Sequence, residues 1–252
     1  MSSGFKARLK DKHTLIGSLV TLGSADVAEI MSLVGFDYLW IDLEHTPMSF
    51  DQAQRMIQAV GGRCPCLVRV PENNAVWIKK ALDTGCAGIV VPQVKTAEQA
   101  QAAVRWSLYP PEGERSVGIA RAHGYGKSFG QYVSRANEEL AIVIQVEHTE
   151  GVRNIESIAR TPGIGAILIG PYDLSGSLGV LGEVEHAWVK RAIREIKEHC
   201  EAAGVPVGIF ASEGQLARVY IDAGFSLIAL GIDTLFLLRA AREALKQASC
   251  EL

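Results

Sequence analysis

The sequence predicts one (β/α)8 barrel, a TIM barrel, over the whole chain, 1–252. Eight short apolar runs rich in β-branched residues recur along the 252 residues, and amphipathic segments separate them. No linker rich in proline, glycine and serine divides the chain. Buried parallel strands alternate with helices in this way, and eight such units in about 250 residues match a barrel better than a doubly wound sheet.

The elements follow from local patterns. Runs of four to eight apolar residues predict strands at 14–20, 37–42, 66–70, 87–91, 141–147, 165–170, 205–210 and 226–231. Apolar residues at helical spacing predict helices at 50–60, 75–84, 97–106, 184–203 and 214–223. Residues of the helix-capping type precede three of these helices, namely Ser49, Asn74 and Ser212.

Two segments need separate interpretation. The stretch from about 108 to 137, between the fourth and fifth strands, is predicted to be an irregular loop. Long loops in compact domains are usually functional, so we expect a lid or an interface at the strand-to-helix rim. The last helix, about 233–247, has an apolar stripe that fits an ordinary eighth barrel helix or one exchanged between subunits.

Composition excludes several classes of protein. Apolar residues make up 48%, charged residues 21%, and the net charge is -3, which is typical of a globular protein without affinity for nucleic acid or anionic lipid. No segment approaches the roughly 20 apolar residues of a membrane helix, and the first residues lack a signal-peptide pattern. We therefore expect a cytoplasmic protein with no nucleic acid or membrane partner.

The five cysteines are odd in number and scattered, so the sequence does not predict a disulfide framework. Cys64 and Cys66 could be a metal-binding pair. In an extended segment their thiols would face opposite ways, and no second Cys/His pair accompanies them. Isolated thiols are the better interpretation.

Two carboxylates stand at neighbouring strand ends. Glu147 closes the fifth apolar run, and Asp173 comes just after the sixth. Each alone fits a helix cap or a salt bridge. Because catalytic groups of such barrels project from the carboxyl ends of the strands, we interpret the pair as ligands of Mg²⁺ or Mn²⁺, whose remaining positions take water and substrate oxygens.

Two further residues complete a candidate site. His45 follows the second strand, where Asp42 or Glu44 could orient its ring, so it suits a general base; a histidine capping the next turn is the alternative. Arg69 lies in the apolar third strand, where a guanidinium requires either a substrate anion or a structural carboxylate.

Several motifs in order resemble the HpcH/HpaI aldolase family. They are Trp40-Ile-Asp-Leu-Glu-His45, Leu67-Val-Arg-Val-Pro71, Leu82-Asp-Thr-Gly85, Val90-Val-Pro-Gln93, Tyr109-Pro-Pro-Glu-Gly113, Gln145-Val-Glu147 and Ile169-Gly-Pro-Tyr-Asp-Leu-Ser175. The resemblance covers about 14–234. The family comprises metal-dependent class II pyruvate aldolases, among them 4-hydroxy-2-oxoheptanedioate and 2-dehydro-3-deoxyglucarate or rhamnonate aldolases.

The resemblance implies a role for each matching residue. Glu147 and Asp173 would hold the cation (Mg²⁺ or Mn²⁺, with Co²⁺ as a further option), and Arg69 would stabilise the enolate oxygen. His45 would be the base, acting with Asp42 and with Asp83 from across a subunit contact. Pyruvate would also meet Gln145 and the backbone near Tyr172 and Asp173.

The resemblance further implies a homo-oligomer, often a hexamer built as a trimer of dimers, with pyruvate and an aldehyde as small-molecule partners. Phe210, where relatives often have a smaller residue, would contact the aldehyde or serve as a core aromatic. Three alternatives stay open: a related lyase acting on an acyl-CoA or a 2-hydroxy acid, a class I aldolase using Lys95, and a non-catalytic binding barrel.

Overall fold

The computed structural model describes residues 4–11 and 13–249 and forms a closed barrel of eight parallel strands in chain order, with β8 paired to β1. The predicted fold class is confirmed. The strands are β1 (Leu15–Val20), β2 (Tyr38–Asp42), β3 (Cys66–Arg69), β4 (Gly88–Val91), β5 (Ala141–Val146), β6 (Ala166–Ile169), β7 (Val207–Ala211) and β8 (Leu227–Ile232). Each coincides with a predicted strand to within two residues at either end.

Helices surround the barrel. They are α1 (Phe5–Lys10), α2 (Ala25–Leu33), α3 (Phe50–Val60), α4 (Ala75–Asp83), α5 (Ala97–Ser107), α6 (Phe129–Glu139), α7 (Thr149–Arg153), α8 (Ile155–Ala159), α9 (Pro171–Ser177), α10 (Ala187–Ala203), α11 (Gly214–Asp222) and α12 (Asp233–Ala248). Ser49 and Asn74 cap α3 and α4 as predicted. Ser212 does not cap α11, whose N-cap is Glu213 without a capping side-chain bond.

One end of the barrel is plugged from inside. The ring of Phe5, on α1, lies 5.4 Å from the ring of Tyr38, whose hydroxyl donates to the Ile228 carbonyl at 2.9 Å. A Cβ atom on Gly17 would lie 2.5 Å from the Tyr38 ring, so only glycine leaves room for this packing. We call this end, where the strands begin, the lower end; the strands finish at the upper end.

The segment after α5 corrects one expectation. The helix α5 runs from the upper end of the barrel to the lower end, so the segment that follows it begins at the lower end. Within one chain, the prediction that this segment lies at the strand-to-helix rim is therefore wrong. Arg121 Nη1 there donates to the Thr84 carbonyl at 2.7 Å, just after α4. The segment is also less irregular than predicted, since it contains a 3₁₀ turn, Arg121–His123, and most of α6.

The last helix, α12, projects from the barrel. From Leu237 to Ser249 every residue is exposed, including Leu237, Leu238 and Leu245. Its only buried residue is Asp233, whose carboxylate accepts the backbone N–H groups of Thr21 and Leu22. An ordinary eighth helix would bury its apolar stripe, so this chain alone does not use α12 in that way.

Four of the five cysteines lie in the described part of the chain. Cys64, Cys66, Cys86 and Cys200 are free and buried, while Cys250 lies outside the described residues. Burial raises the pKa of the Cys64 thiol to about 11 and that of Cys66 still further. Within 4–11 and 13–249, no helix is both long enough and apolar enough to cross a membrane.

Candidate active site

Glu147 lies directly after β5 at the upper end and is buried. Its Oε1 accepts the backbone N–H of Gln93 at 3.0 Å, and its Oε2 accepts a hydrogen bond from Gln145 Nε2. A Cβ on Gly170, at the end of β6, would lie 2.6 Å from that Oε2. The glycine therefore leaves the space that the carboxylate uses.

The Gln93 N–H reaches Glu147 because the backbone of Gln93 is left-handed, with φ of 56°. A non-glycine residue in this region carries strain on the order of 1 kcal/mol, and such residues cluster at functional sites. Sequence patterns did not reveal this contact, since Gln93 reads only as the residue after a strand.

Asp173 lies in the first turn of α9, and its side chain is exposed beside the mouth. Burial raises the pKa of Glu147 to about 7, and the negative charges of Glu44 and Asp173 add to this effect. The structure thus brings the two predicted carboxylates to one end of the barrel, where a cation would favour the charged form of Glu147.

The donor set fits a hard divalent cation better than zinc. Glu147 and Asp173 offer carboxylate oxygens only, and the described residues contain no group of three or more His, Cys, Asp or Glu side chains arranged for a metal. A closed zinc site takes four such ligands, whereas Mg²⁺ is commonly held by one or two carboxylates, with water and substrate oxygens completing its shell.

Arg69 is the buried cation of this site. Its Nε and Nη2 donate to the two oxygens of Asp42 at 2.8 Å each, a bidentate pair. Its Nη1 lies 3.4 Å from Gln145 Oε1, and its guanidinium lies 4.8 Å from the centre of the Trp40 ring. The Arg69 charge lowers the pKa of Asp42 despite the opposing effect of burial.

Glu44 lies closer to the centre of the site than the sequence predicts, where it is only one of two acids that could orient the His45 ring. Its carboxylate turns inward, with 11% of the side chain exposed, and Oε2 lies 3.1 Å from Arg69 Nη1. Burial raises the pKa of Glu44 to about 7, against the effect of Arg69. His45 beside it is 62% exposed, and its Nε2 lies 3.6 Å from Glu44 Oε2. The ring therefore faces Glu44, whereas Asp42 meets only the backbone N–H of His45.

Three other predicted residues have side chains that lie outside this cluster. Asp83 is the last residue of α4 and lies at the lower end, where Arg115 Nη2 donates to it at 2.7 Å. Tyr172, next to Asp173, points its ring into solvent. Phe210 is half-buried on β7 and packs against the interior core below the mouth.

Comparison with known proteins decides the family. The HpcH/HpaI aldolase/citrate lyase family model matches residues 16–240. This chain belongs to that family. A hydroxypyruvate/pyruvate aldolase of Paraburkholderia phytofirmans is 39% identical, with 96% of each chain covered. A 4-hydroxy-2-oxovalerate aldolase of Novosphingobium aromaticivorans is 38% identical, covering 97% of this chain and 94% of its own.

Solved structures agree with this membership. A family protein from Burkholderia cenocepacia J2315 superposes with a TM-score of 0.93 at 37% identity, covering 96% of this chain and 98% of its own. The predicted family is confirmed, and with it the class of reaction at family level, carbon–carbon bond cleavage by an aldolase.

Proposed function

We propose that the chain is a class II pyruvate aldolase that cleaves a 4-hydroxy-2-oxo acid reversibly to pyruvate and an aldehyde. The observation that carries the proposal is the cluster at the upper end, where Glu147 and Asp173 adjoin the buried Arg69. Glu147 and Asp173 would hold Mg²⁺ or Mn²⁺. The bound cation would polarise the 2-oxo group and offset negative charge that develops on it.

Arg69 has one donor left for substrate. Of its five N–H groups, two serve Asp42 and the two on Nη1 face Gln145 and Glu44. The second N–H on Nη2 is free of these contacts and can donate to the enolate oxygen. Because Asp42 and the Trp40 ring fix the guanidinium in advance, little reorganisation accompanies the reaction.

His45 would act as the base. In cleavage, His45 takes the proton of the C4 hydroxyl and the C3–C4 bond breaks. The electron pair of that bond forms the pyruvate enolate while the aldehyde leaves. Protonation of the enolate carbon then gives pyruvate. The high exposure of the His45 ring suits a group that must meet an incoming substrate. Gln145 and the backbone around Tyr172 would hold the pyruvate carboxylate.

The aldehyde is the less defined half of the substrate. The similar relatives are named for hydroxypyruvate/pyruvate and for 4-hydroxy-2-oxovalerate at nearly equal identity. Phe210 lies half-buried below the mouth, so its ring would favour a short or apolar aldehyde over a larger hydroxyaldehyde.

Assembly would complete the site. Asp83 lies at the opposite end of its own barrel from Glu147, so it can assist catalysis only in a neighbouring subunit. The exposed leucines of α12 give such a neighbour an apolar surface to cover. We therefore infer a homo-oligomer with α12 exchanged between subunits. From the family resemblance we further infer a cytoplasmic hexamer arranged as a trimer of dimers.

Deuterium exchange into the methyl group of pyruvate tests the reaction directly. Metal-stripped protein should not exchange, and Mg²⁺, Mn²⁺ or Co²⁺ should restore exchange. Arg69→Ala should slow exchange by about 10²–10³-fold with pyruvate KM changed far less, because Arg69 acts on the developing charge. The control is Arg105→Ala, on the exposed side of α5.

Other results would favour the alternatives. Borohydride trapping of pyruvate on Lys95, with full activity in EDTA, would indicate a class I aldolase. Wild-type protein that exchanges no deuterium with any of the three cations would indicate a non-catalytic barrel.

A further inference from the structure

The turn after β2 directs neighbouring side chains to different places. Asp42 Oδ1 accepts the backbone N–H groups of Glu44 at 3.0 Å and His45 at 3.5 Å, and Thr46 Oγ1 donates to the Asp42 carbonyl at 2.5 Å. These bonds fix the turn. Glu44 consequently points into the barrel mouth, whereas His45 stands at its edge with most of its ring in solvent.

Glu44 Oε2 is buried and accepts no well-aligned hydrogen bond from the described residues. Its closest cations are Arg69 Nη1 at 3.1 Å and His45 Nε2 at 3.6 Å. A buried carboxylate oxygen without a donor is unfavourable, and such atoms are usually satisfied by a ligand, a water or a moving partner. Here the partner able to move is the His45 ring, because Arg69 is already fixed on Asp42.

Asp42 is not available as a hydrogen-bond acceptor for the His45 ring. Both of its oxygens accept from Arg69 at 2.8 Å, and its contact with His45 runs through the backbone. The other charges that face Glu44 are Arg69 from β3, Asp42 from β2 and Asp173 from α9, and Glu147 after β5 senses its charge. Among the described residues, Glu44 is the one carboxylate within 4 Å of a His45 ring nitrogen, at 3.6 Å.

We propose that Glu44 is the positioning residue for His45. It accepts the Nε2–H of the ring, which directs Nδ1 toward the substrate and offsets the positive charge once Nδ1 holds the proton. The O–H bond of the C4 hydroxyl breaks and an Nδ1–H bond forms, while the C3–C4 electron pair becomes the enolate. The inference rests on the proposed function, in which His45 is the base.

A double-mutant cycle tests the coupling. Wild-type, Glu44→Gln, His45→Asn and the double variant are compared as full-length, Mn²⁺-loaded proteins in the cleavage direction. Glu44→Gln should lower kcat by about 10–100-fold with KM within about 2-fold, since it disturbs proton transfer more than binding. In the His45→Asn background the same change should lower kcat by less than about 2-fold, because the group it serves is gone.

Independent losses that multiply in the double variant would overturn the proposal, as would a Glu44→Gln protein whose only defect is weaker Mn²⁺ binding by calorimetry. Glu44→Asp, which keeps the charge on a shorter side chain, takes the same place in the cycle if Glu44→Gln does not fold. Glu156→Gln, an exposed acid on α8, is the matched control.

A second readout needs no activity. The ring resonances of His45, assigned by their loss in His45→Asn, should move in Glu44→Gln and stay in place in Glu156→Gln. Unmoved resonances would overturn the contact even if the wild-type protein catalysed nothing. Inactive wild-type protein with a moved resonance would instead overturn the proposed function and leave the Glu44–His45 contact standing.

Discussion

Each end of the barrel has an arginine that pairs with an aspartate and lies close to an aromatic ring, but the two aspartates differ in burial. At the upper end, Arg69 pairs with Asp42 and lies 4.8 Å from the Trp40 ring. At the lower end, Arg115 pairs with Asp83 and lies 4.6 Å from the Tyr109 ring. The difference is in the carboxylates, since Asp42 is 2% exposed and Asp83 is 29% exposed.

This difference has a chemical meaning. Both oxygens of Asp42 are occupied by Arg69, so Asp42 serves to hold a cation in place. Arg115 occupies only Oδ1 of Asp83, and the side chain is open to solvent on its other side. Under the proposed function, the arginine is the working group at the upper end and the acid is its support, and at the lower end the roles are reversed.

Mixing two inactive variants tests whether Asp83 acts in the site of a neighbouring subunit, and it has the largest expected effect. Glu147→Gln and Asp83→Asn should each reduce aldol cleavage by about 10²–10³-fold. If Asp83 serves a neighbour's site, unfolding and refolding the two together should restore activity at roughly a quarter of the sites, those with both native residues. The specific activity of the mixture should then exceed that of each parent by more than tenfold.

The mixture has a clear contrary result. Activity no higher than the average of the parents would place Asp83 outside any shared site. Refolding each variant alone is the control for recovery of assembly, and size-exclusion chromatography with light scattering shows whether mixed oligomers have formed.

Replacing each arginine by methionine tests the difference in burial. Arg69→Met leaves the Asp42 carboxylate buried and unpaired, so we expect a loss of about 3–5 kcal/mol in the free energy of unfolding. Arg115→Met leaves Asp83 partly hydrated, and we expect a loss of about 1–2 kcal/mol. Urea unfolding of metal-free protein measures both, and equal losses would contradict the comparison.

The pH dependence of stability is expected to be a smaller effect than the loss caused by Arg69→Met. Burial raises the pKa of Glu44 and of Glu147 to about 7 from 4.5. Between these values the folded protein binds protons that the unfolded chain does not. The stabilisation is therefore complete below about pH 4.5 and is lost as the pH rises through about 7.

Metal-free protein should accordingly lose roughly 2–4 kcal/mol of stability between about pH 5 and pH 8. Urea titrations across this range check the loss, and Mg²⁺ should reduce it by favouring the charged carboxylates. Arg115→Met should keep the same slope because it lies at the other end of the barrel. A flat profile in the wild-type protein would show that the upper carboxylates are better solvated than their burial indicates.

Much of the architecture could be predicted because buried parallel strands leave a strong pattern. The strand β5 is apolar on both faces, and a charge at its end, Glu147, stands out against that background. The position of Arg69 was predictable for the same reason. Charged residues at the ends of apolar strands have few partners to choose from, so the candidate site could be assembled from strand ends alone.

The remaining features depend on contacts that no local pattern encodes. The inward turn of Glu44 is set by hydrogen bonds to Asp42 and by Arg69 on another strand. The helix α6 has no capping side-chain bond and carries Gly130 in its first turn, so its sequence reads as a loop. The lower-end location of the segment after α5 follows from the direction of that helix rather than from the segment's own residues.

Among the described residues, Phe5 and Tyr38 close the lower end of the barrel, so the site opens at the upper end. Whatever reaches Arg69 must enter and depart through the same opening, past His45 at its edge. Under the proposed function, the pyruvate portion of the substrate binds next to Arg69, and the aldehyde portion binds nearer the opening. Product release is then ordered, with the aldehyde leaving before pyruvate. In the reverse direction binding is ordered as well, and pyruvate must bind before the aldehyde.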